Sequence, residues 1–187
     1  MEAMSTNSAL DLGAQEDSPE QEAIFRAAVA EHGFVPNILK AYAFDLSKLQ
    51  GFLAHYRSNV ADETSLSPLH REMIAVVVSG INRCLYCVTA HGRTLRSLSN
   101  DPELTAALAL NHRSAKLDPS VRAMLDFAAK LTETPWLVGD EDRAELRRHG
   151  ITDRSIWHIA SVAAHYNMSN RVALAAGVSL NEEYWST

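Results

Sequence analysis

The chain has 187 residues, 47% of them hydrophobic and 21% charged, which suffices for one sizeable core and is too short to favour two independent domains. A net charge of −6 provides no basic face for nucleic acid or anionic lipid. No run of about 18 apolar residues exists, and the start Met1-Glu2-Ala3-Met4-Ser5-Thr6-Asn7 lacks the cationic and apolar regions of a secretion signal, so a cytoplasmic protein with no nucleic-acid or membrane partner is expected.

Residues 1–17 are polar, small and acidic without apolar periodicity, and are expected to form a flexible leader before a single domain over 18–187. Ser18-Pro19-Glu20-Gln21 combines an N-cap serine, a proline at the first helical position and a glutamine at the third. It predicts a helix over 19–32, stopped by Gly33. Helices over 36–44 and 46–61 follow. Ser67-Pro68 opens the next, over 68–81. The apolar run from Ala75 to Val78 is short and sits inside this helical pattern, so it is not read as a strand.

Gly80 is a poor helix former and Asn82 a good N-cap, which predicts a break there and a new helix over 84–98. Asp101-Pro102 and Asp118-Pro119 open helices over 102–110 and 119–133, the latter with Val121, Met124, Leu125 and Ala128 at helical spacing. The acidic cluster Asp140-Glu141-Asp142 complements the dipole of a helix over 140–149, and Gly150 and Gly177 bracket a last one over 153–176. About eight or nine helices and scarce strand signals predict an all-α, compact helical bundle. Glu72 to Cys87 finds a weak echo 83 residues on, in Ser155 to Asn170, which fits a degenerate helix-hairpin repeat about as well as ordinary helical similarity.

Cys84 and Cys87 are the only cysteines, framed by Glu72 and His91. In a reducing compartment a staple across so small a loop is unfavourable, which leaves catalytic or metal use. On one helix Cys84, Cys87 and His91 share a face, with His91 a turn from Cys87. A thiol at a helix N-terminus is biased toward the thiolate by unpaired amides and the helix dipole. The expected chemistry is attack of one thiolate on a hydroperoxide O–O bond, giving a sulfenic acid that the second thiol condenses to a disulfide. An external dithiol then resets the pair. Glu72 and His91 are expected to move the protons, with Cys87 attacking and Cys84 resolving.

These residues resemble the alkylhydroperoxidase D-like family within the carboxymuconolactone decarboxylase superfamily, most closely its uncharacterised peroxidase-related branch. The family pattern is a glutamate, eleven residues, CxxC, three residues and a histidine; Glu72, Cys84, Cys87 and His91 reproduce every spacing, and Asn82 and Tyr86 also match that branch. A looser similarity runs from Phe34-Val35-Pro36 to the end, including Asn170-Arg171. The resemblance implies an all-α homo-oligomer, commonly a trimer or hexamer, acting as an antioxidant, peroxiredoxin-like oxidoreductase without a bound cofactor. In the best-described relatives a histidine precedes the second cysteine, where this chain has Tyr86, and a phenol titrating near pH 10 relays protons poorly at neutrality. The decarboxylase side of the superfamily resembles the chain in fold only, since its lactone chemistry uses no CxxC pair.

Two other readings compete: a disulfide reductase or redox sensor of the same fold, and a zinc-binding or purely structural helical oligomer. Zinc would need His70 or His55 as a fourth ligand beside Cys84, Cys87 and His91, and no metal is expected in the redox reading. Tyr86, Phe34 and Tyr42 are candidates for lining an apolar mouth for an organic hydroperoxide. Trp136, Trp157 and Trp185 read as packing anchors or subunit contacts.

Overall fold

Helix starts in this chain are set by side-chain oxygens and prolines placed against free backbone amides. In the computed structural model, which describes residues 7–13, 17–61 and 65–185, Ser18 Oγ accepts from Gln21 N at 3.3 Å and the Gln21 side chain accepts from Ser18 N at 2.9 Å. That reciprocal cap, with Pro19 behind it, opens α1 (Pro19–His32), and Gly33 at φ 84° closes it. Ser67 and Asp101 cap α4 (Pro68–Ile81) and α6 (Pro102–Asn111) through their side chains, as their positions before proline predict. The other helices are α2 (Asn37–Tyr42), α3 (Leu46–Tyr56), α5 (Leu85–Ser99), α7 (Pro119–Glu133), α8 (Asp140–Arg148) and α9 (Asp153–Ala176). No strand occurs among the described residues, so the all-α expectation holds. The expected helix over 46–61 changes character on the way: its last five residues, Arg57–Ala61, form a π-helical turn.

The chain divides into two compact units. The first comprises the described residues up to His55 together with 172–185, and the second runs from Tyr56 to Arg171. In the first, Phe25, Ala28, Leu39 and Leu49 form a small core joined by Ile24, Val35 and Phe52. Asn37 ties its parts together: Asn181 Oδ1 accepts from the Asn37 amide at 2.7 Å, and Asn37 Nδ2 donates to the Ser179 carbonyl at 2.9 Å. Part of the expected leader also belongs to this unit. Ala9 N donates to Ala176 O at 2.8 Å and Ser179 N to Asn7 O at 3.0 Å, while residues 1–6 and 14–16 lie outside the described residues.

The second unit is organised on α4, whose Met73 to Val78 are all buried. A helix apolar on every side requires neighbours on every side; α5, α6 and α7 pack on it, and Leu95, Leu108, Leu125, Ile159, Val162 and Tyr166 complete the core. Gly80 permits this packing, since a Cβ there would fall 2.2 Å from the Ala109 carbonyl oxygen on α6. The sequence echo is not a repeated hairpin, because Ser155 to Asn170 lies within uninterrupted α9 whereas Glu72 to Cys87 crosses from α4 into α5. Among the described residues no helix is long and apolar enough to cross a membrane.

Candidate active site

The turn between α4 and α5 presents the cysteines. Arg83 N donates to Gly80 O and Cys84 N to Ser79 O, both at 3.0 Å, with Arg83 in the left-handed region at φ 55°. This is a Schellman closure with arginine where glycine is usual, at a backbone cost of roughly 1–2 kcal/mol. Asn82 is therefore the C-cap of α4, not the N-cap of the next helix, and Cys84 itself is the N-cap of α5. What holds the turn is α9: Asn82 Nδ2 donates to Asn167 Oδ1 at 3.0 Å and to Asn170 Oδ1 at 2.9 Å.

At the N-cap the Cys84 sulfur meets the free amides of the first turn. Neither cysteine is in a disulfide, they lie 3.3 Å apart, and their residues are only 1% and 3% exposed. The Cys87 S–H donates to Cys84 and is the chief reason that the Cys84 thiol is lowered to about 7. The Cys87 and Tyr86 amides and the positive charge of His91 act the same way, and burial opposes them. Cys87 is pushed far up by giving its proton to that hydrogen bond, by burial and by the charge on Cys84, while Asn170 and Ser169 pull it down. The thiolate of the pair therefore resides on Cys84.

His91 Nδ1 lies 2.9 Å from Glu72 Oε2, and both side chains are largely buried. A carboxylate only accepts, so Nδ1 carries the proton and Nε2 is the atom left for chemistry. Tyr166 of α9, a residue that sequence reasoning missed, is 1% exposed and sets its ring edge-on against His91 at 4.6 Å. Its hydroxyl is 3.5 Å from Nδ1, and burial, then the charge of Glu72, holds the phenol protonated. His165 meets Tyr166 edge-on at 5.2 Å and Tyr56 at a tilt at 5.5 Å, and is itself buried.

Glu72, Cys84, Cys87 and His91 thus come together, with the Tyr86 backbone beside them and its side chain buried. Phe34 and Tyr42 belong to the first unit, where Phe34 meets Tyr184 edge-on at 5.2 Å and Tyr42 stacks on Phe52 at 4.5 Å. Among the described residues no group of three or more His, Cys, Asp and Glu side chains is arranged to hold a metal ion.

A sequence profile of the carboxymuconolactone decarboxylase family matches residues 48–130. An uncharacterized peroxidase-related protein from Silicibacter sp. TM1040, of known crystal structure, is 47% identical, with 100% of this chain and 98% of that one aligned at a TM-score of 0.94. The alkylhydroperoxidase AhpD core of an uncharacterized peroxidase-related protein from Ralstonia eutropha JMP134 is 34% identical over 90% of this chain and 88% of its own, at a TM-score of 0.86. The debrominase Bmp8 shares the fold alone, at 20% identity over 91% and 90% of the two chains and a TM-score of 0.76. No curated protein sequence matches.

Proposed function

Because the chain belongs to the carboxymuconolactone decarboxylase family, among its alkylhydroperoxidase D-like members, we propose that it is a thiol peroxidase that reduces hydroperoxides through a Cys84 and Cys87 dithiol/disulfide cycle. The observation that carries this reading is a pair of free cysteines 3.3 Å apart at the start of α5, beside a carboxylate-oriented imidazole. Cys84, rather than the expected Cys87, is the attacking sulfur. Its thiolate attacks the terminal oxygen of the hydroperoxide: an S–O bond forms, the O–O bond breaks, and the departing alkoxide takes a proton from His91. Glu72 supports the imidazolium that supplies it. Cys87 then attacks the Cys84 sulfenic acid, an S–S bond forms and water leaves. An external dithiol restores both thiols and is itself oxidised to a disulfide.

Thiolate fraction alone does not account for catalysis. Relative to a thiol at 9.0, one at about 7 is roughly fiftyfold more ionised at neutral pH, yet its intrinsic nucleophilicity is about sixfold to tenfold lower. The net gain is below about tenfold, so the acid at His91 and the positioning of the peroxide must supply the rest. A cytoplasmic homo-oligomer without a bound cofactor completes this reading. Tyr86, at the place where the best-described relatives carry a histidine, favours a second one, a disulfide reductase or redox sensor that seldom meets peroxide.

The test is to add cumene hydroperoxide to reduced protein and follow thiol loss. Loss of the first thiol much faster than from free cysteine separates peroxidase from sensor. A rate equal to that of free cysteine ends the peroxidase reading.

A further inference from the structure

The charge of this chain is unevenly placed. It carries 23 Asp and Glu residues, yet none stands between Met73 and Asn100 or between Arg154 and Asn181. Those two stretches supply α4 beyond Glu72, the cysteine turn, all of α5 and nearly all of α9. Their fixed charges are all arginines: Arg83, Arg93, Arg96, Arg154 and Arg171. The net charge of −6 is thus carried elsewhere, and the elements that build the site are locally positive.

Two of these arginines flank the sulfurs. Arg83 is exposed and immediately precedes Cys84. Arg171, exposed on α9, reaches the same turn through a shared acceptor: its Nη1 donates to Asn167 Oδ1 at 2.8 Å, and Asn82 Nδ2 donates to that oxygen at 3.0 Å. Nη1 also donates to the Asn167 carbonyl at 2.7 Å, which leaves Nη2 open. Among the described residues no carboxylate pairs with either arginine, whereas Arg147 and Arg148 on α8 are both held by acids. Leu85, directly after Cys84, is 64% exposed and adds an apolar contact to the same turn.

We propose that Arg83 and Arg171 form a carboxylate-binding site beside the cysteine turn, and that the substrate is an alkyl hydroperoxide that carries a carboxylate. The substrate class rests on the peroxidase reading above; the anion site does not. A sulfur only 1% exposed is reached by a slender group, so the hydroperoxide end enters and the remainder of the molecule stays outside. There a guanidinium can take a carboxylate through two parallel N–H bonds, and Leu85 can take the alkyl chain. The carboxylate is not consumed and leaves with the alcohol product. Attraction by exposed arginines acts mainly on local concentration, so it weakens as salt is added.

Two alkylating probes of similar size test the anion site without peroxide. Iodoacetate is an anion and iodoacetamide is neutral, and both react with the same thiolate, so the ratio of their rates cancels any change in thiol ionisation. At low salt that ratio is expected to fall about threefold in Arg83→Gln or Arg171→Gln and about tenfold in the double variant. In the unaltered protein 0.5 M sodium chloride, a concentration of about that order, should lower it in the same direction. A ratio that is the same in the unaltered protein and the double variant overturns the proposal. If circular dichroism shows that Arg171→Gln does not fold, the ratio in Arg83→Gln decides alone, since that exposed side chain holds no other residue. In a second measurement, linoleic acid hydroperoxide is compared with its methyl ester. The acid should oxidise the thiols about tenfold faster at low salt, and the double variant should lose that preference. A preference that survives in the double variant overturns the substrate assignment. If neither hydroperoxide oxidises the protein faster than free cysteine, the peroxidase reading falls, and the alkylation ratio still judges the anion site.

Discussion

Glu72 Oε2 and His91 Nδ1 meet at 2.9 Å although the residues are nineteen positions apart and on different helices. The contact exists because α4 and α5 pack side by side around the cysteine turn, which aligns a side chain a little after the start of one helix with one midway along the next. Its chemical effect is to fix the orientation of the ring and keep a proton on Nδ1. Glu72→Gln leaves an amide oxygen able to accept from Nδ1 but removes the charge. We expect peroxide-dependent loss of the first thiol to slow by about tenfold to a hundredfold in Glu72→Gln, and by about a hundredfold or more in His91→Ala. Stopped-flow thiol assays with matched melting curves check both, and an unchanged rate in either variant removes that residue from the mechanism.

The ionisation of Cys84 carries a directional pH prediction. Its thiol is lowered to about 7, so in the reduced protein one thiol should react with iodoacetamide at a rate that rises through pH 7 and levels above it. Below the midpoint the rate should fall about tenfold per pH unit as the sulfur protonates. The largest cause of the lowering is the Cys87 S–H. Cys87→Ala removes that donor, and the midpoint should climb toward the ordinary thiol value, leaving less thiolate at pH 7 despite one fewer competing sulfur. A midpoint that stays put would mean that the helix amides, not the neighbouring thiol, hold the charge.

Asn82 offers a stability prediction at the same turn. Its Nδ2 serves two carbonyl oxygens of α9, Asn167 Oδ1 and Asn170 Oδ1, at 3.0 and 2.9 Å. Asn82→Ala strands Asn170 Oδ1 and leaves Asn167 Oδ1 to Arg171 Nη1 alone, at 2.8 Å, with an expected cost of about 1–3 kcal/mol in urea unfolding. It also frees Asn170 to turn its amide, so the thiol chemistry should suffer more than the loss of stability explains.

Much of this arrangement was legible in the sequence because local rules and tertiary packing agree. Ser18, Ser67 and Asp101 cap the helices that their prolines open, and Glu72, Cys84, Cys87 and His91 converge as their spacing implied. The misreadings arise where long-range contacts decide. Asn82 looks like an N-cap because asparagine favours that position, yet its partners are 85 and 88 residues away on α9. Arg83 occupies a left-handed position with no glycine to announce it. Helical spacing favours Cys87 as the nucleophile because it counts turns to His91; it cannot show that the Cys87 S–H is given to Cys84, the largest cause of the lowered Cys84 thiol. Tyr166 and Asn170 share a face of α9, and only the match at Asn170-Arg171 marked that face beforehand.

Gly80 shows how a residue can be placed correctly for the wrong reason. Its weak helix propensity pointed to the end of α4, and the helix does end one residue later. The closure is made, however, by Arg83 and Cys84 donating back to Gly80 and Ser79, which any residue at position 80 could accept through its carbonyl. The need for glycine comes from the side: a Cβ at position 80 would sit 2.2 Å from the Ala109 carbonyl oxygen, which belongs to the backbone of α6 and cannot swing away. Gly80→Ala gains about 1 kcal/mol of helix propensity, but it must push α4 and α6 apart, at a cost of about 1–3 kcal/mol or more. We expect a net loss of stability and a lower melting temperature. Because the displaced turn carries Cys84, the alkylation midpoint near pH 7 should shift as well. A Gly80→Ala protein that melts at or above the temperature of the parent, with the midpoint unmoved, would show that the two helices part more easily than their packing implies.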